Sequence, residues 1–387
     1  MADAIYLDHA ATTPLAPEVL EAISPYLGEQ FGNPSSIYGL ARGARRGIDD
    51  ARDSVAELLG CRAGEIVFTS GGTEADNLAI KGVAWASRAR GQHLVTTRIE
   101  HLAVLRSCEY LEKLGFEVSY VDVDRHGRVD PDAVAAAIRA DTTLVSVMLA
   151  NNEVGTIEPI REIAAITRAR GVPLHTDACQ AAGALSLDVD ALGVDLLSLS
   201  AHKVYGPKGA GALYARRGVQ YHNLLHGGSN ERGRRAGTEN VAGIVGLAAA
   251  LRLAERDRAG VTAHLMALRD RLAERVLARV EGAHLMGHPT ERLPSFASFV
   301  LEGIEGESML LALDARNVFA SSGAACTSGT LDPSHVLIAM GVPAALAHGS
   351  LRLTVGLTNT LEQIDRAVEE LIQVVGKLRS LAPARPT

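Results

Sequence analysis

Phe68-Thr-Ser-Gly-Gly-Thr-Glu74 ends a β-branched apolar run, Ile66–Thr69, and opens an amphipathic helical pattern, Thr73–Arg90. A strand that stops on two glycines and restarts as a helix is the repeating joint of an α/β sheet. The glycines let backbone approach a ligand closely. The helix start offers free N–H groups to an anion such as phosphate. A plain tight turn capped by Thr73 fits the same letters equally well. The G-x-x-x-x-G-K-[ST] pattern of a Walker loop is absent.

Outward from this joint, short apolar runs recur at Leu94–Thr97, Glu117–Val121, Leu144–Leu149, Pro173–Thr176, Leu196–Ser198 and Ala212–Ala215. Helical patterns at Leu102–Leu114, Pro131–Ala140 and Pro159–Arg170 lie between them. Near-continuous apolar strands alternating with helices predict a mostly parallel sheet covered on both faces. Ligands of such sheets sit at the carboxyl ends of the strands. After about Gly260 the texture changes to a long helix (Val261–Val280), short strands near Ser295–Leu301 and Arg352–Val355, and a last helix (Leu361–Leu378). That pattern predicts a second, smaller α+β domain. The expected division is a large domain over 16–258 and a small one over 1–15 plus 259–387.

Composition narrows the function. The chain has 387 residues, 47% hydrophobic and 21% charged, which excludes a disordered polymer. A formal net charge of −7 argues against a general nucleic-acid binder. The 4 cysteines form no C-x-x-C pair, so no metal site is expected and a reducing compartment fits. No basic n-region followed by an apolar h-region opens the sequence, and the longest weakly apolar run, Val241–Leu251, is too short to span a bilayer. The expectation is a cytoplasmic protein without membrane contact.

Two further strand ends carry chemistry. His175-Thr-Asp-Ala-Cys-Gln180 presents a carboxylate and an amide after a strand; Asp177 suits a protonated pyridine nitrogen, or else caps the next helix. Ser198-Leu-Ser-Ala-His-Lys203 places a lysine between an apolar strand and a Gly/Pro turn. A semi-buried lysine forms Schiff bases. Ser200 and His202 flank it as phosphate partners. Phosphate loop, aspartate and lysine arriving in strand-end order leave little room for a merely solvated Lys203.

With these stretches, the sequence resembles the cysteine desulfurases, pyridoxal-phosphate enzymes of the fold-type-I transferase architecture. The resemblance rests on Tyr6-Leu-Asp-His-Ala-Ala-Thr-Thr-Pro14, Phe31-Gly-Asn-Pro-Ser35, Ser70–Glu74, Glu100-His101, Asn151-Asn-Glu-Val-Gly155, Asp177 with Gln180, Ser200-x-His-Lys203, Arg232-Gly-Arg-Arg-Ala-Gly-Thr238 and Ser321-Ser-Gly-Ala-Ala-Cys-Thr-Ser328. The last stretch is similar to that of the long-loop class. The match runs from the first residues to Arg352. Cys179 departs from it, where many members carry Thr or Ser; inert packing is the expectation there.

The resemblance implies a seven-stranded, mostly parallel sheet in the large domain, with pyridoxal 5'-phosphate as cofactor. Lys203 carries it as a Schiff base. Asp177 pairs with the ring nitrogen and Gln180 with the ring phenol oxygen. Gly72, Thr73, Ser200 and His202 hold the phosphate, and Thr238 reaches the phosphate in the neighbouring subunit of a homodimer. His101 stacks on the ring and moves protons, although a lone histidine at such a junction is otherwise a cap. Asn152, also among the cofactor-binding residues, and Arg352 bind the substrate carboxylate, with a surface arginine as the bland alternative. Cys326, in a run of small residues expected to form a mobile loop, is the nucleophile that takes sulfur from L-cysteine, leaving L-alanine and a persulfide. The sulfur acceptor is an iron–sulfur scaffold or another carrier. Selenocysteine lyases and small-amino-acid aminotransferases of the same fold do not require a loop nucleophile, so Cys326 separates them. A silent scaffold-docking subunit would not need Lys203, Asp177, His101 and Cys326 together.

Overall fold

The computed structural model describes residues 4–323 and 332–381. The short strand β1 (Ile5–Tyr6) precedes a seven-stranded sheet made of β2 (Ile66–Thr69), β3 (His93–Thr97), β4 (Glu117–Val121), β5 (Thr142–Ser146), β6 (Leu174–Asp177), β7 (Leu196–Ser200) and β8 (Gly211–Ala215). Its order is β2-β8-β7-β6-β5-β3-β4. The pairs from β7 to β4 are parallel, and β8 runs antiparallel to both β2 and β7. Every residue of β2, β3, β5, β6, β7 and β8 is buried, as expected for strands covered on both faces.

The run expected at Leu144–Leu149 ends as a ladder at Ser146. Its backbone pairing nevertheless continues, since Val147 N–H donates to His175 O at 3.1 Å and Leu149 N–H to Asp177 O at 2.9 Å. The helices Pro17–Leu27 and Gly39–Leu59, for which the sequence pattern carries no expectation, pack with Val241–Arg256. The weakly apolar run at Val241–Leu251 is thus the buried part of a helix packed against two others.

A second apolar cluster joins Leu268, Leu272 and Val276 of the helix Arg258–Arg279 to Ile364, Val368 and Leu371 of the helix Leu361–Leu381. It includes Ile5 and Leu7 from the other end of the chain. It lies against an antiparallel sheet formed by β9 (Ala283–Met286), β10 (Phe296–Leu301) and β12 (Ser350–Thr354), in the order β12-β10-β9. The strand β1 pairs in parallel with β11 (Val318–Phe319). Among the described residues no helix is long and apolar enough to cross a membrane.

Candidate active site

The carboxyl ends of β6 and β7 form the floor. Asp177 ends β6 and is buried. Its Oδ1 accepts the Cys179 N–H at 2.9 Å, so the capping alternative is half right: the side chain braces a turn, but no helix begins there. Behind it, His175 pairs with Ser146 Oγ and Ser198 Oγ, each at 2.9 Å. Asp76 Oδ1 sits 3.6 Å from His175 Nε2 and has no hydrogen-bond partner among the described residues. Burial, then the charge of Asp177, pushes the Asp76 carboxyl well above its ordinary range. Burial pulls His175 down to about 4. Both shifts favour the uncharged forms in the layer beneath Asp177.

The strand β7 passes through Ser200 into a single 3-10 turn, Ala201–Lys203. Lys203 Nζ donates to Ala10 O at 2.6 Å and Ala11 O at 2.9 Å. Gln180 Nε2 donates to the same Ala10 O at 2.9 Å. His202 Nδ1 lies 3.1 Å from Thr12 Oγ1. Burial, with Lys203 and Lys208 nearby, lowers His202 to about 4, so it is a neutral partner. The segment Ala10–Thr13 is thereby tied to the lysine turn.

Gly71 lies at φ 152° and ψ −178°, a backbone region essentially confined to glycine. It is the N-cap of the helix Gly72–Ala86 and has no side chain to close it, so Thr73 is not the cap and its side chain is exposed. A Cβ at Gly72 would fall 2.5 Å from Cys179 Sγ, so Gly72 packs directly on that thiol, whereas a Cβ at Gly71 would meet only Ser200 Oγ at 4.0 Å, which leaves the space over the helix start open. Glu74 Oε2 accepts the Ser70 N–H at 2.8 Å, and Arg235 Nε holds Glu74 Oε1 at 2.9 Å. Cys179 is buried, and burial with Asp177 and Asp76 nearby pushes its thiol well up.

His101 is indeed a cap: its Nδ1 accepts the Ala103 N–H at 3.1 Å at the start of the helix Leu102–Glu112. That bond leaves the proton of the neutral ring on Nε2. Burial lowers its pKa, with Lys203 adding to the effect and Asp177 opposing it. Polar atoms of His101, Asp76 and Asp177 all lie within 4.8 Å of one another.

Arg352, on β12, is only 5% exposed, which removes the surface-arginine alternative. Its Nη1 donates to Asn152 O and its Nη2 to Asp8 Oδ1, each at 2.9 Å. Thr238 is exposed, in a loop anchored by Glu231. The Glu231 carboxylate takes Arg52 Nη1 at 2.9 Å and Nη2 at 2.6 Å. Cys326 lies outside the described residues.

Pyridoxal phosphate asks for an amine, a carboxylate for its ring nitrogen, and hydrogen-bond donors for its phosphate. Lys203, Asp177 and the bare Gly71–Gly72 helix start meet those needs at the ends of β7, β6 and β2, and the space over Gly71 is open. Asp8, Asp76 and Glu153, which line or support this region, drew no role from the sequence. Asp8 lies inside a quoted motif, but its partner is 344 residues away.

The aminotransferase class-V family profile matches residues 5–367. A cysteine desulfurase IscS of Methanosarcina thermophila is 52% identical over 383 residues, covering 99% of this chain and 95% of that protein. A solved NifS-like protein superposes with a TM-score of 0.92 at 37% identity, covering 97% of this chain and 100% of the other. The structure of SspA in complex with cysteine matches with a TM-score of 0.81 at 36% identity, over 91% of this chain and 98% of the other. Placed by these likenesses and by its own strand-end chemistry, this chain belongs to the aminotransferase class-V family, among its cysteine desulfurases.

Proposed function

We infer that this chain is a pyridoxal-phosphate-dependent cysteine desulfurase whose own residues divide the work between holding the cofactor and handling the amino acid. The observation that carries the reading is the grouping of the Lys203 amine, the Asp177 carboxylate and the side-chain-free Gly71–Gly72 helix start at strand ends of one sheet. Lys203 Nζ holds the cofactor. Asp177 takes the ring nitrogen, and the second N–H of the Gln180 amide is available to the ring phenol oxygen. Gly72, Thr73, Ser200 and His202 hold the phosphate, and Thr238 reaches that of a partner subunit in a homodimer. When bound, pyridoxal phosphate supplies an electron sink conjugated to the α-carbon of the amino acid.

Arg352 offers its planar fork to the substrate carboxylate, exchanging the Asp8 contact for it. Asn152 stands beside it. The α-proton passes to Lys203 Nζ, while His101 acts as a proton donor at Nε2. The Cys326 thiolate attacks the substrate sulfur. The carbon–sulfur bond breaks with its electrons left on the β-carbon, which gains a proton, and Lys203 Nζ returns a proton to the α-carbon, so L-alanine leaves and the persulfide stays on Cys326. An iron–sulfur scaffold or another carrier in the cytoplasm takes the sulfur. The cluster joining Ile5 and Leu7 to residues between Leu268 and Val375 supports a small domain of 1–15 plus 259–387 beside a large one of 16–258, with further apolar contacts such as Ile99 and Met148 against Val300 and Val336 packing the two together.

The test is product analysis. The holoenzyme given L-cysteine and a thiol reductant releases alanine and sulfide in equal amounts. Keto-acid formation, or no alanine, would contradict the reading.

A further inference from the structure

Glu153 has no part in the chemistry above, yet it is buried beside both ends of the segment that carries the thiol. It sits in the turn after β5, where Asn151 Oδ1 accepts the N–H groups of Glu153 at 2.8 Å and Val154 at 2.9 Å. On one side, Ser321 bridges the strand of Arg352: Ser321 N–H donates to Arg352 O at 3.3 Å, and Arg352 N–H to Ser321 O at 2.6 Å. Two residues on, Gly323 packs so closely that a Cβ there would overlap Glu153 Oε2. On the other side, Ser334 Oγ donates to Glu153 Oε2 and accepts the Leu337 N–H at 3.2 Å, capping the helix His335–Ala339. One carboxylate oxygen thus meets residue 323 before the segment and residue 334 after it.

We propose that Glu153 is a positioning residue that fixes both stems of the Cys326 segment against the strand carrying Arg352, and so sets the reach of the thiol to a substrate held there. The proposal rests on reading Cys326 as the nucleophile. Reactivity between held groups depends steeply on placement, and Gly323 and Ser334 meet at one buried carboxylate oxygen.

The groups facing the carboxyl are few. Arg352 favours its ionised form, Ser334 does the same by hydrogen bonding, and His335 Nδ1 lies 3.9 Å from Oε1. Burial lowers the pKa of His335, which disfavours its charged form. Burial dominates at Glu153 and pushes its carboxyl up to about 7. The ionised form is the stronger acceptor from Ser334, so the anchor tightens as pH rises through neutrality.

The experiment uses the holoenzyme in single turnover with L-cysteine, reading alanine formed, the near-visible absorbance change on substrate binding, and alkylation of the Cys326 peptide by iodoacetamide. Glu153→Ala is expected to slow alanine formation roughly 10-fold or more. The amplitude and half-saturation of the absorbance change should stay within about 3-fold of the parent, since the Lys203 floor is untouched. Glu153→Gln keeps an oxygen for Ser334 but does not titrate. The parent-to-variant ratio of both alanine formation and alkylation should therefore rise between pH 6 and pH 8. A parental rate in Glu153→Ala, a rate loss matched by loss of the absorbance change, or a flat ratio across pH would each overturn the proposal. Should Glu153→Ala fail to fold, Ser334→Ala replaces it, with a several-fold slowing expected and a parental rate counting against the proposal. Cys326→Ala run alongside separates the two claims. If it still forms alanine, the nucleophile is misassigned. If it does not, and Glu153→Ala is unaffected, only the positioning role fails.

Discussion

Lys203 and Asp177 sit at the ends of adjacent parallel strands, where Asp177 pairs in register with Ser198 of β7. Arg352 reaches the site differently. It comes from a strand of another sheet, it is held by Asp8 from the opposite end of the chain, and its Nη1 rests on a loop carbonyl at Asn152. The strand-end floor is built by local chain geometry: once β6 and β7 pair, the positions of both side chains are set. The Arg352 side is built by packing between distant segments, each meeting the others only in the folded chain. Substitutions in the floor should therefore abolish chemistry, whereas those on the Arg352 side should weaken binding or reach.

The harshest test of the floor is Lys203→Ala. Activity should fall by roughly 1,000-fold or more, because the covalent route is lost. The borohydride-reducible attachment of the cofactor should vanish with it. A reduced adduct mapping to another lysine, such as Lys208, would break the assignment.

On the other side, Arg352→Lys keeps the charge and loses the planar fork. Half-saturation for L-cysteine should rise about 10- to 100-fold, the scale of one charge-assisted hydrogen bond. Turnover at saturation should stay within a few-fold. If turnover collapses while binding holds, Arg352 belongs functionally to the floor and the contrast fails.

A smaller effect sharpens the dimer reading. Thr238→Val should weaken cofactor retention by roughly 10-fold, in line with one hydrogen bond to a charged phosphate. The parent should sediment as a dimer. A fully active monomer would rule out the contribution across subunits.

The buried carboxyls next to the floor predict the sign of the pH dependence of stability. Glu100 accepts Thr97 Oγ1 at 2.7 Å and the Met148 N–H at 3.0 Å, and burial pushes its pKa from 4.5 up to about 8. The folded state thus holds this proton more tightly than the unfolded chain. Its contribution is complete below about 4.5 and is lost as pH rises through about 8. Tm should fall from pH 5 to pH 8.5, and Glu100→Gln should flatten that fall. A steeper fall in the variant would reverse the sign.

The least effect is expected at Cys179, whose thiol is buried against Gly72. Cys179→Ala should leave turnover within a few-fold of the parent, because a buried thiol with a raised pKa is a poor nucleophile.

The same division explains what the sequence makes legible. Strands with continuous apolar runs and the Gly-Gly joint can be read directly, because period and punctuation are local signals. All seven sheet strands fall within a few residues of their expected bounds, and the helix Leu102–Glu112 starts at its expected residue. The spacing at His101 fits a cap and a site residue alike, and the cap is what the hydrogen bond to Ala103 shows. Asp8, Asp76 and Glu153 are invisible for another reason: their partners lie far along the chain, and no periodicity marks a buried carboxylate. The Arg52–Glu231 pair, 179 residues apart, is the same case.

The central claim is that the floor activates the amino acid while a separate thiol takes its sulfur. Mapping persulfide by mass spectrometry, together with the absorbance change on adding L-cysteine to Cys326→Ala, tests it most directly. This variant should keep the absorbance change, form no persulfide and release no appreciable alanine, while Cys179→Ala forms persulfide at Cys326. Persulfide persisting in Cys326→Ala, or vanishing in Cys179→Ala, would contradict it.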